Sequence, residues 1–375
     1  MQQIELGTIL KIEKGKKPLN QSTECGDGML PYVDIQAFEK GEINNYTDGV
    51  KCLSCKDGDI LIVCDGSRSG LVGKAIKGYV GSTLAKISAE GILNDYLFYF
   101  VQGRYALLNT NRKGTGTPHL KMELLKAQKL VVPSLEKQQE IVSHIEELLS
   151  QLDSGVEILN KIKAQLKVYR QAVLKDSFQG IDKQVMIGNI TDSRLGKMLD
   201  KEKNTGIPRK YLRNVNVRWL KFDLTDLLEM KIEESEVEKY TIKKDDLVIC
   251  EGGEPGRCAV WENDESIFYQ KAIHRVRFTD GSNPKFYMYY LWFAAQIGGL
   301  RPYFTGTGIK HLTGQSLCKV LVPTAERSTQ DKIVMNIEER LSTCDFIEKM
   351  VDDALQRVNA LRQSILKKSF EGGLL

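Results

Sequence analysis

The sequence has no apolar run approaching the ~18 residues that a membrane-spanning helix needs, so no transmembrane segment is expected. Its opening segment, MQQIELGTILKIEKGKK, places charge at Glu5, Lys11 and Glu13 and lacks a long apolar stretch, so no secretory signal is expected. Cysteine is sparse: eight in 375 residues do not make a disulfide scaffold. With no export signal, a reducing cytoplasmic setting is expected. Cys52-Leu-Ser-Cys55 has metal-ligand spacing, but no second pair follows to complete a four-ligand zinc site.

Catalytic signatures are equally thin. In Gly66-Ser-Arg-Ser-Gly70-Leu-Val-Gly73-Lys74-Ala75, a phosphate-binding loop would need glycine where Arg68 stands and Ser or Thr where Ala75 stands. That stretch reads instead as a turn between strands. Only four histidines occur. Two of them, His119 and His311, sit beside matching Gly-Thr-Gly elements, with no nucleophile or carboxylate recognisable nearby in sequence. No methyltransferase fingerprint and no nuclease carboxylate set is found. The chain is therefore expected to be non-catalytic, with no catalytic residue, cofactor or metal.

What is present is globular: 42% hydrophobic and 27% charged residues exclude wholesale disorder, and the length suits two domains or three. The formal charge is +4. Residues 1–134 carry 17 basic against 14 acidic side chains, and residues 181–324 carry 22 against 19, so each block is +3. That excess alone does not identify a polyanionic partner.

The dominant feature is an internal repeat. Gly114-Thr-Gly-Thr-Pro-His-Leu120 returns as Gly306-Thr-Gly-Ile-Lys-His-Leu312, an offset of 192. Gln138, Ile141 and Ile145-Glu-Glu147 recur at Gln330, Ile333 and Ile337-Glu-Glu339 with the same offset. Arg170-Gln-Ala-Val-Leu-Lys-Asp-Ser-Phe-Gln-Gly180 answers Arg362-Gln-Ser-Ile-Leu-Lys-Lys-Ser-Phe-Glu-Gly372. Upstream, Gly58 to Gly66 resembles Asp245 to Gly252, and Tyr32 to Gln36 resembles Tyr211 to Val215. The organisation is two diverged globular units, each followed by a similar C-terminal segment.

Those segments read as long helices. Apolar positions from Ile141 to Val173, and again from Ile333 to Ile365, cover 32 residues in nine steps, a mean of 3.56. This lies between the coiled-coil and straight-helix periods. Equal lengths and matching seams favour packing of the two helices against each other. Pro133 and Pro323 precede them, and Gly180 and Gly372 supply stops. The globular units read as mixed α/β. Gly58 to Cys64 and Asp246 to Cys250 are buried strands, while Asn94 and Asn283 are expected N-caps of buried aromatic helices, Pro284 taking the first helical position.

The surfaces suited to DNA are polar, basic loops. Arg112, Lys113, Thr115, Thr117 and His119 in the first copy, and Thr305, Thr307, Lys310 and His311 in the second, combine small residues with cations suited to phosphates. Arg68 and Arg257 follow the corresponding strands, where a guanidinium can meet a guanine edge.

The paired Gly-Thr-Gly-x-x-His-Leu loops, the Val132-to-Val142 entry and the two Arg-Gln-x-[Val/Ile]-Leu-Lys-x-Ser-Phe-x-Gly endings resemble the specificity subunit of a type I restriction–modification system. The resemblance covers essentially the whole chain. It implies an α/β fold of two target-recognition domains, 1–134 and 181–324, separated by spacer helices at 135–180 and 325–375. The helices would run antiparallel as a coiled coil under a pseudo-twofold axis. It further implies binding of double-stranded DNA at a bipartite, asymmetric target. Two methyltransferase (modification) subunits would be partners, and a restriction translocase subunit can join them. The competing reading from another class is a non-catalytic protein-interaction scaffold, which would lack salt-sensitive binding to duplex DNA.

Overall fold

A computed structural model describes residues 2–112, 118–200 and 204–371. The chain divides into two compact units, one built from Met1–Asn160 with Asp352–Leu375, the other from Lys161–Val351.

In the first unit, a four-stranded antiparallel sheet runs in the order Leu10–Lys14, Leu84–Ala89, Ile60–Val63, Val72–Lys74. A second four-stranded sheet orders Tyr46–Thr47, Leu30–Val33, Gly78–Val80, Ser54–Cys55, and its Leu30–Val33 and Gly78–Val80 pair is parallel. Ile60–Val63 is buried at every position, as its unbroken apolar run requires of a central strand. The Gly66–Ala75 stretch does turn between strands, with Ile62 facing Val72 in the hairpin.

The second unit repeats this plan. Thr191–Leu195, Ile273–Phe278, Leu247–Cys250 and Cys258–Val260 form one sheet; Leu228–Ile232, Ile207–Leu212, Ile267–Tyr269 and Thr241–Ile242 form the other. Its one parallel pair, Ile207–Leu212 with Ile267–Tyr269, places Tyr211 opposite Phe268, just as Tyr32 stands opposite Tyr79. The units differ locally. Asp34 caps a short helix, Ile35–Lys40, in the first, while the second has a small hairpin of Val217–Arg218 with Lys221–Phe222.

Each main sheet is covered by an aromatic helix, Asn94–Gly103 or Pro284–Gln296. Asn283 caps the second through its side chain, which accepts from the Lys285 amide at 2.9 Å, and Pro284 follows it. The expectation for Asn94 is corrected. Leu93 occupies the cap position without a side-chain bond, and its amide donates instead to Gln138 Oε1 at 2.8 Å. Gln138 is fully buried and also donates to the carbonyls of Gly91 and Pro133. Gln330, buried in the second unit, accepts from the Asn283 amide at 2.7 Å and donates to the Ala325 carbonyl. The repeated glutamine thus ties the start of each long helix to the start of an aromatic helix.

The long helices span Leu135–Phe178 and Arg327–Phe370, 44 residues each, again offset by 192 at both ends. Ser134 Oγ accepts from the Lys137 amide at the first entry, and Gly180, with φ at 84°, follows the exit. Each unit's core takes in the start of one helix and the end of the other. In the first unit Ile141 and Ile145 share a core with Leu366 and Phe370. In the second, Val173 and Phe178 share a core with Val334 and Ile337. Polar contacts tie the helices within each unit. Arg362 pairs with Asp153 in the first. In the second, Arg170 meets Asp345 at 2.5 Å and Glu348 at 2.9 Å, while Arg340 meets Asp176 at 3.0 Å. Moving from 170 up to 176 on one helix means moving from 345 down to 340 on the other, so the pairing is antiparallel. Among the described residues no helix is long and apolar enough to cross a membrane.

Candidate nucleic-acid interface

In the first unit, the central strand Ile60–Val63 runs out into Cys64-Asp65-Gly66. Gly66 has φ at 110°, a conformation that glycine adopts without strain. The segment returning at Pro118 is stitched along this exit: Gly66 N donates to Pro118 O and Leu120 N to Cys64 O, both at 2.8 Å. Buried Ser69 adds its hydroxyl, 2.7 Å from Gly66 O and 3.2 Å from Pro118 O. On this frame Asp65 Oδ1 lies 2.7 Å from His119 Nδ1, and Asp65 Oδ2 lies 2.6 Å from Lys14 Nζ, at the end of an edge strand. Partial burial pushes the Asp65 carboxyl up, but donation from Lys14 and His119 outweighs it and holds the group below its ordinary value.

The other first-copy candidates lie around this point. Arg68 is ion-paired with Glu39, and both remain largely exposed. Arg112 donates to the Ser67 carbonyl at 2.6 Å. Lys113, Thr115 and Thr117 lie outside the described residues.

In the second unit the strand Leu247–Cys250 runs into Glu251-Gly252, and Leu312 N donates to Glu251 O at 2.7 Å. Thr305 and His311 exchange both backbone hydrogen bonds, at 2.8 and 2.9 Å, which closes the Gly306–Lys310 loop on itself. Gly306 has φ at 94°, and a Cβ there would lie 2.3 Å from the Ile309 carbonyl, so only glycine fits. Thr307 and Ile309 are exposed on this loop, and Lys310 Nζ donates to Gly306 O at 2.7 Å. Arg257 is placed differently from Arg68. Its side chain is 13% exposed against 47%, and it donates to Glu254 at 2.9 Å and to the Asn214 carbonyl at 2.8 Å. Trp219 Nε1 donates to the same Glu254 at 2.6 Å.

No group of three or more His, Cys, Asp or Glu side chains among the described residues could hold a metal ion. Cys55 is buried, and burial raises its thiol to about 11.

The first part of the chain, residues 1–168, matches the family model described as the type I restriction modification DNA specificity domain. The MjaVIII specificity subunit of Methanocaldococcus jannaschii is 23% identical, over 98% of this chain and 92% of that protein. The EcoBI specificity subunit of Escherichia coli is 25% identical, over 90% of this chain and 83% of that protein. A solved chain of a type I restriction–modification system, described for its complex assembly and conformational transition, shares the fold. Its TM-score is 0.76 at 16% identity, covering 100% of this chain and 98% of that one. The chain is thus similar over nearly its whole length to type I restriction–modification specificity subunits.

The structure brings together residues that lie far apart in the sequence. His119 has a carboxylate partner after all, supplied from 54 positions upstream. Lys14 and Asp65 were not singled out from sequence. A repeat signal for Asp65 is missing, since Gly252 stands at the corresponding position. Lys14 carried no such signal, because only the pairing of Leu10–Lys14 with Leu84–Ala89 brings its amine to that place.

Proposed function

We propose that this chain is the specificity subunit, the sequence-reading, non-catalytic component of a type I restriction–modification complex, binding a bipartite and asymmetric target in double-stranded DNA. One observation carries the reading. The same two-sheet architecture occurs twice, and each copy ends its central strand beside a polar, basic loop, yet the side chains at equivalent positions differ. Two such readers suit two unlike half-sites. Methylating a base within a duplex requires flipping it out, chemistry that falls to two modification subunits, with a restriction translocase as a further partner, in the cytoplasm.

The functional division is 1–134 and 181–324 as target-recognition domains, and 135–180 and 325–375 as spacer helices. Within the domains Arg68, Arg112, Lys113, Thr115, Thr117 and His119 face one half-site; Thr305, Thr307, Lys310 and His311 face the other. Arg257, held inside its unit, supports the second surface from behind. The test replaces residues 1–134 by the corresponding segment of a relative and maps methylated motifs. One half of the motif should change, with the other half and the gap unaltered; change in both halves would overturn the modular reading.

A further inference from the structure

We propose that His119 is a base-reading residue of the first unit, held by Asp65 and Lys14 so that its Nε2 accepts a hydrogen bond from the exocyclic amino group of an adenine or cytosine in the major groove. The inference rests on the DNA-reading function above and names one contact within it.

The argument begins with hydrogen-bond chemistry. An ionised carboxylate only accepts, so with Asp65 Oδ1 2.7 Å away the proton of a neutral imidazole sits on Nδ1, and Nε2 keeps its lone pair. Lys14, 2.6 Å from the other carboxylate oxygen, already matches the carboxylate charge, so the pairing does not call for a charged imidazole. The ring is 57% exposed while the carboxylate beneath it is 25% exposed, so the imidazole projects outward from a covered base. Its orientation is over-determined. Hydrogen bonds of Gly66 and Leu120 fix the backbone on both sides of Asp65 and His119, and the two residues form a β-bridge.

An outward acceptor selects among bases. Adenine N6 and cytosine N4 donate in the major groove, whereas guanine O6 and thymine O4 present lone pairs that repel another. A phosphate contact would instead need a donor at this nitrogen.

The second unit differs at each corresponding place. Gly15 and Gly196 are equivalent, since a Cβ on either would lie 2.2 Å from a backbone carbonyl, that of Gly81 or of Gln270. The residue before each is therefore equivalent too, and Leu195 stands where Lys14 does. Leu312 N bonds to Glu251 O as Leu120 N bonds to Cys64 O, so Gly252, with no side chain, takes the place of Asp65, and His311 is locked by its backbone to Thr305. The setting of the histidine has diverged, as readers of unlike half-sites require.

The test measures binding by the complex with its modification subunits. The probes are duplexes carrying the wild-type motif, each specified position of the first unit's half-site changed in turn to the other three bases. His119→Ala should remove discrimination against G or T, roughly ten- to hundred-fold, at one position where the wild type reads A or C. His119→Gln, whose amide oxygen reaches near the place of Nε2, should retain that preference in part. In Asp65→Asn, Lys14 holds the amide oxygen, so the amide NH2 faces Nδ1 and the ring proton moves to Nε2; preference at that position should shift toward G or T. Should His119→Ala fail to assemble, the other two variants carry the test.

Equal weakening on every duplex would make His119 a phosphate contact, and unchanged discrimination would make it structural; either overturns the proposal. Those results, obtained with a wild-type complex that does discriminate, leave the DNA-reading function standing. A wild-type complex with no preference for any duplex would sink that function and the histidine assignment together.

Discussion

Arg68 and Arg257 both follow the central strand of their units but at different points, since Arg257 O accepts from Cys250 N as Leu71 O does from Val63 N, and burial gives the two arginines different tasks. The Arg257 guanidinium joins Glu254 and the Asn214 carbonyl, and its Nε is buried without a partner. Arg257→Ala is expected to cost about 1–3 kcal/mol of stability, because it strips charge and donors from partly covered acceptors; thermal melting measures this. Arg68→Ala, which breaks an exposed pair, should leave melting nearly unchanged while altering binding to the target duplex. Lys310→Ala tests the loop itself. If the amine leaves Gly306 O for a phosphate, the slope of log K against log salt falls by about 0.9; an unchanged slope makes the lysine a loop fastener. His274 is a residue that sequence reading left without a role. It is buried, bonds the Leu312 carbonyl through Nε2 at 3.0 Å, and desolvation lowers its pKa against the smaller opposing effects of Leu312 and Glu251. The neutral ring therefore contributes stability that is whole above the unfolded value near 6.5 and is lost as pH falls through the lowered folded value. Wild type should lose more melting temperature than His274→Gln between pH 7.5 and pH 5; equal losses would assign the acid sensitivity elsewhere.

The two long helices were readable as elements, and the structure draws them at Leu135–Phe178 and Arg327–Phe370. What periodicity does not carry is which core each end enters. Phe370, in the second closing motif, stands edge-on to Tyr96 at 5.0 Å and Phe100 at 5.4 Å, in the unit built from the N-terminal residues. Phe178, in the first closing motif, packs on Phe286 at 5.3 Å and Tyr290 at 5.4 Å in the other unit. Each closing phenylalanine thus seals the unit that its own repeat copy does not begin. Phe370→Ala should cost about 3–5 kcal/mol, with lost hydrogen-exchange protection concentrated on the Asn94–Gly103 helix. If protection instead falls on Pro284–Gln296, this assignment of helix ends to cores is wrong.

At the scale of the molecule, the proposed spacer role of the long helices makes the gap between half-sites a testable quantity. Inserting four residues near Gly155 adds about one helical turn, roughly 6 Å. Together with a matched insertion near Val351, it should lengthen the unspecified gap of the methylated motif by about one or two base pairs. An insertion near Gly155 alone can be absorbed locally, so the paired variant decides. A gap unchanged in the paired variant would mean that the helices do not set the separation of the half-sites.

The sequence by itself determined the duplication, the two long helices, the central strands and the family resemblance. Each of these is written in local patterns: a 192-residue offset, an apolar period near 3.6, and unbroken apolar runs between turns. It also singled out His119 and His311, because repetition makes a rare residue conspicuous. Only the tertiary structure decided what those residues do. Asp65, Lys14 and His119 meet because three separate strand and loop pairings converge, and no spacing along the chain encodes that convergence. Arg257 and Arg68 look alike in sequence, but a side chain's burial depends on what folds over it, here Glu254 in the turn before Arg257 and Trp219 on the second unit's hairpin. The interchange of helix ends between cores is of the same kind. Hydrophobic burial is non-directional, so an apolar stripe states that a helix must be covered, and the packed chain determines by what.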